Sequence, residues 1–331
     1  MRDNAVTGTE SVVSEAFDPL DFSEFFGSNQ NIIRTLEIGK MCKFVQDVID
    51  FGSCGGIIYG RPRIGKTRAV QYCAEHLRTL YGDSLPIIRM SMAEHKPTER
   101  NFYSELLSAA GHPLFDRGTA PALRHRLISW LLSRSSETKY KRVIVFIDEA
   151  QNLTTSDYSW LINIYNSLDA ENVRLTTLLV GTKELKAVKK SFSASHYDQI
   201  IGRFMVDEHE FKGIVGEEAI IPILLDVENS LEYYAGDERI NPTKCFFPEA
   251  YEDGRSIVEL STDLWAEFSY QREKNGIRNK DIPMIYFMKT ILILFKRFGK
   301  YGSEEHRTYF PEKKDVAEAI RLSGYLVPND E

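Results

Sequence analysis

Short apolar runs alternate with amphipathic stretches over the first two thirds of the chain. Every position in Val143–Ile147 is apolar, and an uninterrupted run of this kind indicates a strand covered on both faces, as in a parallel sheet. Between the runs, apolar residues recur at helical spacing, as they do in Arg68–Leu77. The pattern therefore predicts an α/β fold with a central parallel sheet flanked by helices. The predicted strands are Gly56–Tyr59, Pro86–Met92, Arg142–Glu149 and Leu175–Thr182, and a further apolar strand is predicted after Arg203 in the run Ile200–Val206.

The same pattern divides the chain into four parts. Residues 1–28 mix acidic and aromatic side chains without a period, and they predict a disordered arm. This arm either docks elsewhere as a short acidic-aromatic peptide or simply rests on the core. Residues 29–206 form the predicted α/β core. Residues 207–260 are acidic and are interpreted as an insertion or linker, and residues 261–331 predict a small helical domain.

The first strand leads into the sequence GRPRIGKT, and a predicted helix follows. A strand, a loop bounded by glycines, Gly-Lys-Thr and a helix are the context of a phosphate-binding P-loop. Gly60 and Gly65 allow backbone N–H groups to turn towards phosphates. Lys66 supplies a charge for the β and γ oxygens of ATP, and the Thr67 hydroxyl is a ligand for Mg²⁺. The candidate ATP-binding residues are Gly60, Arg61, Pro62, Arg63, Ile64, Gly65, Lys66, Thr67 and Arg68.

One position of this loop departs from the common pattern. Arg63 stands where many P-loops carry a further glycine. The alternative interpretation of the motif is a chance match in a surface loop. The strand before it and the helix after it argue against chance, and the helix N-terminus adds partial positive charge beneath the same anion.

Two carboxylates, Asp148 and Glu149, end the most apolar strand. Doubly wound α/β folds bind ligands at this edge of the sheet. Asp148 is placed to hold Mg²⁺ directly or through water, and Glu149 to polarise the water that attacks the γ-phosphate. Such a pair is common in strands that have no catalytic role. It follows the P-loop by about eighty residues, however, and in that context it predicts an NTPase.

Two further positions lie at or before predicted strand boundaries. Thr182 ends the fourth strand, where its hydroxyl is positioned for the sensor-1 role of contacting the γ-phosphate. A plain turn hydroxyl is the alternative interpretation of Thr182. Arg203 precedes an apolar stretch and is expected to project from the edge of the subunit.

Composition argues against several classes of protein, namely chains that are basic throughout, membrane-spanning proteins and proteins held by zinc or disulfides. A net charge of −7 excludes a chain that is basic throughout, but it leaves room for a local basic face. The N-terminus lacks an apolar signal core, and the run Met284–Phe295 is short and interrupted by Lys289. We therefore expect a cytoplasmic protein without a membrane span. Four scattered cysteines indicate reduced thiols and not zinc ligands or disulfides, and they are Cys42, Cys54, Cys73 and Cys245.

A local excess of basic residues lies between Lys96 and Arg142. Within it, Arg117-Gly118-Thr119 falls in a predicted loop, where a basic and a hydroxyl side chain can both meet phosphate oxygens. A solvated face of ordinary helices is the alternative. No stretch reads as a recognition helix, so the pattern predicts binding to the backbone of double-stranded DNA without sequence preference. The candidate DNA contacts are Lys96, Arg117 and Thr119.

Taken together, these motifs resemble those of AAA+ ATPases, and more narrowly those of the TnsC/TniB group of transposition regulators. The phage Mu B protein and the IstB helper ATPases of insertion sequences are more distant relatives of that group. The resemblance covers roughly residues 30 to 325. It is carried by GRPRIGKT, KPTERNFYSELLSAAGHPL, VIVFIDEAQNL, TTLLVGTKEL and IIGRF, and towards the C-terminus by REKNGIRN and DVAEAI.

The resemblance implies an AAA+ P-loop NTPase fold with a small C-terminal helical lid. It also implies an ATPase that polymerises with ATP on duplex DNA as a ring or filament. Such a protein marks the target site, is directed by a target-selection protein, and recruits and stimulates a transposase without cutting DNA itself. Arg203 would be the arginine finger that reaches a neighbour's ATP, and Arg278 a sensor-2 residue. The acidic stretch 207–260 departs from the compact pattern of the family.

Two other classes of ATPase share the core motifs. An ExeA-like ATPase that energises assembly of export machinery would carry a membrane segment or a peptidoglycan-binding module, and the sequence shows neither. An origin-recognition or clamp-loading ATPase acts as an assembly switch without transposition, and a regulatory switch that does not bind DNA belongs to the same alternative. An origin binder usually adds a winged-helix domain, and the C-terminal segment reads as too short and irregular for one.

Overall fold

The computed structural model describes residues 32–230, 233–235 and 238–326. The arm predicted over residues 1–28 lies outside this range. The strands are β1 (Gly55–Tyr59), β2 (Ile87–Ser91), β3 (Arg142–Asp148), β4 (Arg174–Gly181), β5 (Asp207–Glu210), β6 (Tyr233–Ala235) and β7 (Glu238–Ile240). The helices are α1 (Leu36–Asp50), α2 (Lys66–Tyr81), α3 (Glu99–Ala109), α4 (Ala120–Ser136), α5 (Thr155–Asp169), α6 (Glu184–Ala194), α7 (Asp198–Phe204), α8 (Ile220–Ser230), α9 (Pro242–Phe246), α10 (Pro248–Glu252), α11 (Ser261–Lys274), α12 (Met284–Ile293) and α13 (Lys313–Ser323).

The described residues form two compact units. The first, which we call the sheet unit, comprises Arg34–Ala219 and Asn279–Ile285. The second, the helical unit, includes Ile220–Arg278 and residues 286–326. The sequence places a boundary after residue 206, whereas the sheet unit continues to Ala219 because strand β5 belongs to its sheet.

Five parallel strands form the sheet of the first unit, in the order β2-β3-β4-β1-β5. The ends of the three central strands therefore lie side by side, so that Tyr59 is opposite Gly181 and Ile147 is opposite Leu179. Parallel strands all end at the same edge of a sheet. As a result, the loops that follow β1, β3 and β4 meet at one place.

The core of the sheet unit explains why those strand ends are fixed. All seven residues of β3 are buried, as its uninterrupted apolar run predicts. Apolar side chains of α3, α4, α5 and α6 pack against this sheet, among them Tyr103 and Tyr158, which are fully buried. Burial of one large aliphatic or aromatic side chain contributes about 1.5–3 kcal/mol, so the sheet is a rigid support for its loops. Thr98 caps α3, because its hydroxyl accepts from the Asn101 N–H.

The prediction of the fifth strand is wrong both in its position and in its apolar composition. Residues 198–204 form helix α7, and the strand β5 begins at Asp207. Ile200 and Phe204 are four positions apart and both buried, which is the spacing of a helix with one face against the core. The apolar run therefore reflects a buried helix face and not a strand.

The true fifth strand is acidic because it lies at the sheet edge. Among the described residues, β5 pairs with β1 alone, and its residues alternate between half-buried and exposed. Two of its carboxylates face lysines that follow β4, since Lys189 Nζ lies 2.5 Å from Glu208 and Lys183 Nζ lies 4.0 Å from Glu210. Charged residues are typical of edge strands. Part of the acidic stretch is thus neutralised within the sheet unit.

The helical unit contains α11, α13 and most of α12, within the stretch 261–331 for which the sequence predicts a helical domain. Its core is aromatic, with the Phe268 ring 6.1 Å from Phe287 and 5.0 Å from Tyr325. The Glu228 carboxylate accepts hydrogen bonds from Ser256 Oγ and the Ile257 N–H at 2.8 and 3.1 Å. In the part of the chain that the structure describes, no helix has both the length and the apolar character of a membrane span.

Candidate nucleotide-binding site

The predicted P-loop connects β1 to α2 at the edge where the central strands end. The Gly60 N–H donates to Gly181 O at 3.2 Å, so the loop leaves the sheet directly from its last hydrogen bond to β4. A side chain could not be accommodated at Gly60, because a Cβ atom there would lie 2.3 Å from Phe211 O. Glycine at this position therefore permits the close approach of the Phe211 backbone.

Two residues of the loop have a left-handed backbone. Gly65 has a φ of 103° and is the N-cap of α2, and Arg63 has a φ of 63°. A non-glycine residue in this region costs roughly 1–2 kcal/mol, which explains why glycine is common at such a position. Arg63 is therefore a strained residue in the middle of the phosphate loop, and the unusual residue noted in the sequence has a structural correlate.

The Lys66 side chain lies inside the loop and not in solvent. It is 7% exposed, and its Nζ donates to Gly60 O at 3.0 Å and to Arg61 O at 2.7 Å. A buried ammonium group requires such acceptors or an anion. The loop thus holds one positive charge at the N-terminal end of α2, where the helix dipole also favours an anion.

The P-loop and the end of β3 are joined by a hydrogen bond. Thr67 Oγ1 donates to Asp148 Oδ2 at 2.6 Å, and Asp148 Oδ1 accepts from the Glu149 N–H at 2.9 Å. Asp148 is 8% exposed. A hydroxyl and a carboxylate are the hard oxygen ligands that Mg²⁺ prefers, and both converge on the same point. The residues present therefore fit a Mg²⁺ site.

Glu149 is the first residue beyond β3, and its backbone is left-handed with a φ of 51°. Non-glycine residues in this region cluster at functional sites. Its carboxylate accepts from Gln151 Nε2 at 2.6 Å, and Gln151 Oε1 in turn accepts from the Thr182 N–H at 3.1 Å. The structure therefore brings the candidate base Glu149 and the candidate sensor Thr182 to the two ends of one amide.

Thr182, the last residue of the predicted fourth strand, lies directly after β4. Its hydroxyl oxygen accepts from the Glu184 N–H at 3.3 Å, next to the start of α6. This contact satisfies a backbone group at the beginning of a helix, which is the turn role that the sequence left open. The hydroxyl proton can still be donated to an anion, so the geometry accommodates the sensor-1 role as well.

A further contact fixes the P-loop from the C-terminal part of the chain. The Arg61 side chain forms an ion pair with Asp281 and donates to Asp281 O at 3.0 Å. Asp281 Oδ2 also accepts from the Gly213 N–H at 2.7 Å. All three residues belong to the sheet unit. The segment Asn279–Ile285 thus supports the loop, a relationship that sequence spacing does not indicate.

Arg203 lies at the far end of β1 from the P-loop of the same chain. A Cβ atom at Gly55, the first residue of β1, would lie 3.1 Å from Arg203 O. The guanidinium carbon stands 5.3 Å from the centre of the Tyr165 ring. The hydrogen bond with Cys54 and, to a lesser extent, burial raise the pKa of Tyr165 to about 12. The Tyr165 ring therefore stays neutral beneath the Arg203 guanidinium. The structure does not bring Arg203 together with Lys66 of its own chain.

The candidate sensor-2 residue belongs to the other unit. Arg278 is exposed and is the last residue of Ile220–Arg278 in the helical unit.

The candidate DNA contacts lie on and near the loop between α3 and α4. Arg100 Nε donates to Gly118 O at 3.1 Å, and Arg126 Nη1 donates to Arg117 O at 2.6 Å. These two arginines hold the loop through its carbonyl oxygens. The side chains that remain exposed include those of the candidates Arg117 and Thr119, and Lys96 is exposed in the segment before α3.

Other members of the basic segment are committed to contacts within the sheet unit. Arg124 pairs with Glu99 at 3.7 Å, and Arg142 is 8% exposed with its Nη1 donating to Thr176 Oγ1 at 3.0 Å. Burial lowers the pKa of Arg142, and the nearby Arg174 lowers it further. The number of basic residues in the sequence therefore overstates the charge available to a partner.

The comparisons with known proteins agree with this architecture. Residues 52–188 match the family model of an AAA domain. The comparison with curated protein sequences gives no match. Among solved structures, the Aeropyrum pernix ORC2 protein, determined in ADPNP–ADP complexes, is 13% identical with a TM-score of 0.52, covering 91% of this chain and 71% of that chain.

Pyrobaculum aerophilum Cdc6p is 16% identical with a TM-score of 0.45, over 92% of this chain and 84% of its own. The fold assignment rests on the sheet topology, the AAA domain match and the likeness to the ORC2 protein. The chain therefore has an AAA+ P-loop NTPase fold, in which a five-stranded parallel sheet is flanked by helices.

Proposed function

We propose that the chain hydrolyses ATP and uses its nucleotide state to control assembly on double-stranded DNA, where it marks a target site for a transposase. The observation that carries the ATPase part is the hydrogen bond between Thr67 and Asp148 at 2.6 Å, with Lys66 in the same loop and Glu149 next in sequence. Separate elements supply these side chains, and the fold collects them at one edge of the sheet. The arrangement supports phosphoryl transfer, which depends on positioning and on charge.

ATP would be held by the P-loop. Lys66 exchanges its contacts with the loop carbonyls for the β and γ oxygens, and the N-terminus of α2 faces the same phosphates. Thr67 and Asp148 would hold Mg²⁺ as oxygen ligands. Bound there, the ion would neutralise charge on the β- and γ-phosphates.

Glu149 is the proposed general base. One of its carboxylate oxygens accepts from Gln151, which leaves the other to accept a proton from the attacking water. The water oxygen bonds to the γ-phosphorus, and the bond between that phosphorus and the β–γ bridging oxygen breaks. The electron pair of that bond leaves on ADP.

The position of Arg203 supports a role at the nucleotide of a neighbouring subunit. Within one chain, β1 separates it from the P-loop by roughly 13 Å, at about 3.3 Å per residue. A guanidinium that cannot reach its own phosphates can serve those of a neighbouring subunit. Such a contact joins two different surfaces, so it is head-to-tail and propagates as a ring or a filament. We therefore propose a homo-oligomer whose contacts depend on ATP.

The proposed DNA surface consists of Lys96, Arg117 and Thr119. Their exposure and residue types suit phosphate contacts that carry no sequence information. The TnsC/TniB resemblance supplies the remaining partners, a transposase and a target-selection protein, and a cytoplasmic location. Arg278 as sensor 2 and residues 261–331 as a lid are proposals on the same basis.

A second candidate function is an assembly switch of the origin-recognition or clamp-loader type, without transposition. The observation in its favour is the likeness to the Aeropyrum pernix ORC2 protein over 91% of this chain. At 13% identity this likeness concerns the fold alone. Both candidates require ATP and DNA, and they differ in whether a transposase responds.

The first test is ATP hydrolysis by the purified protein with and without linear duplex DNA. We expect hydrolysis that requires Mg²⁺, rises with DNA and is lost in Lys66→Ala. Lys43→Ala removes an exposed lysine of the same unit that lies outside the basic segment, and it is the matched control. Equal hydrolysis by wild type and Lys66→Ala would assign the activity to a contaminant and contradict the proposal.

A further inference from the structure

Gln151 connects the candidate base to the end of the neighbouring strand. Its Nε2 donates to Glu149 Oε2 at 2.6 Å and its Oε1 accepts from the Thr182 N–H at 3.1 Å. The reverse orientation of the amide would set its NH₂ against a backbone N–H and its oxygen against a carboxylate. Both contacts would then be repulsive, so the two partners together define the orientation of the amide.

The residues around Gln151 fix its side chain between Glu149 and Thr182. Gly181 precedes Thr182 in the chain, and a Cβ atom at Gly181 would lie 2.2 Å from Gln151 Oε1. A glycine at this strand end therefore admits the amide. The turn that carries Gln151 is closed by the Asn152 N–H, which donates to Glu149 O at 3.0 Å. The turn is anchored to the chain after β2 because Asn152 Nδ2 donates to Met92 O at 2.8 Å.

We propose that Gln151 is a positioning residue that links the orientation of the Glu149 carboxylate to the position of the Thr182 backbone. This inference rests on the proposed ATPase function. Thr182 is expected to contact the γ-phosphate, and any displacement of its N–H is transmitted through one amide to the base. Gln151 itself touches neither the phosphates nor the attacking water. Its effect on catalysis is exerted through Glu149.

The first variant removes both hydrogen bonds and keeps the side chain length. Gln151→Met should reduce kcat by on the order of 10²-fold, the effect expected when a catalytic group is misplaced by about 1 Å. KM for ATP and the affinity for a non-hydrolysable ATP analogue should change little, because the P-loop is untouched. Thermal unfolding of the variant checks that the fold is retained.

The second variant gives a signature that loss of packing cannot produce. In Gln151→Glu the introduced carboxyl still accepts from the Thr182 N–H. When protonated it donates to Glu149, and when ionised it repels that carboxylate. The ratio of variant kcat to wild-type kcat should therefore increase as the pH is lowered and decrease as it is raised. Taking the ratio cancels the pH dependence that wild type shows on its own.

Asn152→Ala is the structural control, because it loosens the same turn without removing the link to Glu149. Its kcat ratio to wild type should be the same at every pH. A kcat of Gln151→Met equal to that of wild type would overturn the role of Gln151, and so would a kcat ratio for Gln151→Glu that does not vary with pH. Either result would leave the proposed ATPase function standing. A wild-type protein that does not hydrolyse ATP would overturn the proposed function and this role together, so the two failures are distinguishable.

Discussion

The Thr67 hydroxyl donates to the Asp148 carboxylate at 2.6 Å across 81 positions of sequence, and this bond joins the P-loop to the strand that carries the catalytic candidates. Neither motif alone defines an ATPase. Their convergence follows from the strand order, since β1 and β3 both flank β4 in the sheet. This pair is therefore the centre of the proposed metal site.

Removing the Thr67 hydroxyl should impair metal-dependent hydrolysis. Thr67→Ala loses one proposed oxygen ligand, and we expect hydrolysis to fall on the order of 10²-fold. Thr67→Ser keeps the hydroxyl and should stay within a few-fold of wild type. The measurement is hydrolysis as a function of Mg²⁺ concentration, where Thr67→Ala should need more Mg²⁺ for half-maximal rate. Equal Mg²⁺ dependence in Ala and Ser variants would remove Thr67 from the metal site.

Glu149→Gln should separate binding from turnover. An amide cannot take the proton from the attacking water, and loss of a general base typically costs about 10²–10⁴-fold. ATP binding should persist, because Lys66 and Thr67 remain. Rapid-quench hydrolysis and equilibrium binding of labelled ATP give the two quantities. Turnover equal to wild type would show that another group activates the water.

The proposed DNA surface predicts a change in salt dependence. Replacing Lys96 and Arg117 together by alanine should weaken binding to unrelated duplexes about equally. The slope of log K against log salt should flatten by roughly one unit for each phosphate that is no longer neutralised. The double variant Lys40→Ala, Lys43→Ala is the control, since those lysines pair with Glu37 and Asp47 and lie outside the basic segment. The stretch Lys183–Lys190 is the next candidate surface. An unchanged slope in the first variant would place the DNA site elsewhere.

The trans role of Arg203 predicts complementation between two inactive variants. Arg203→Ala should bind ATP almost normally, yet assemble poorly on DNA and hydrolyse slowly at every protein concentration. An arginine finger contributes about 10³–10⁵-fold to phosphoryl transfer in other systems. Mixing Arg203→Ala with Lys66→Ala should recover part of the activity, because one variant supplies the pocket and the other the finger. If the mixture stays inactive while Arg203→Ala forms normal polymers, the finger is a different residue.

The strands of the sheet core were predictable from sequence because consecutive residues of the chain carry their pattern. The run at Val143–Ile147 is buried on both faces, and its uninterrupted apolar residues show this in the sequence. The P-loop was predictable for the same reason, since its strand, loop and helix are contiguous. Arg63 was visible as an anomaly, and the structure shows that it occupies a position with a positive φ, where glycine is favoured.

What sequence reasoning missed depends on pairing between distant residues. β5 was overlooked because an edge strand carries charges, and the lysines that offset them come from another element. Gln151 stood within the motif VIVFIDEAQNL, but its partner Thr182 lies 31 positions away. Arg61 meets Asp281 across 220 positions. Such contacts become visible only when the strand order is known.

The most direct test of the central claim is negative-stain electron microscopy of the wild-type protein with linear duplex DNA. With a non-hydrolysable ATP analogue and Mg²⁺ we expect rings or filaments along the DNA, and with ADP or without nucleotide we expect dispersed particles. Head-to-tail contacts bridged by nucleotide give this dependence, because ADP lacks the γ-phosphate that Arg203 is proposed to hold. Assemblies of the same number and length in all three states, or none in any, would contradict the account.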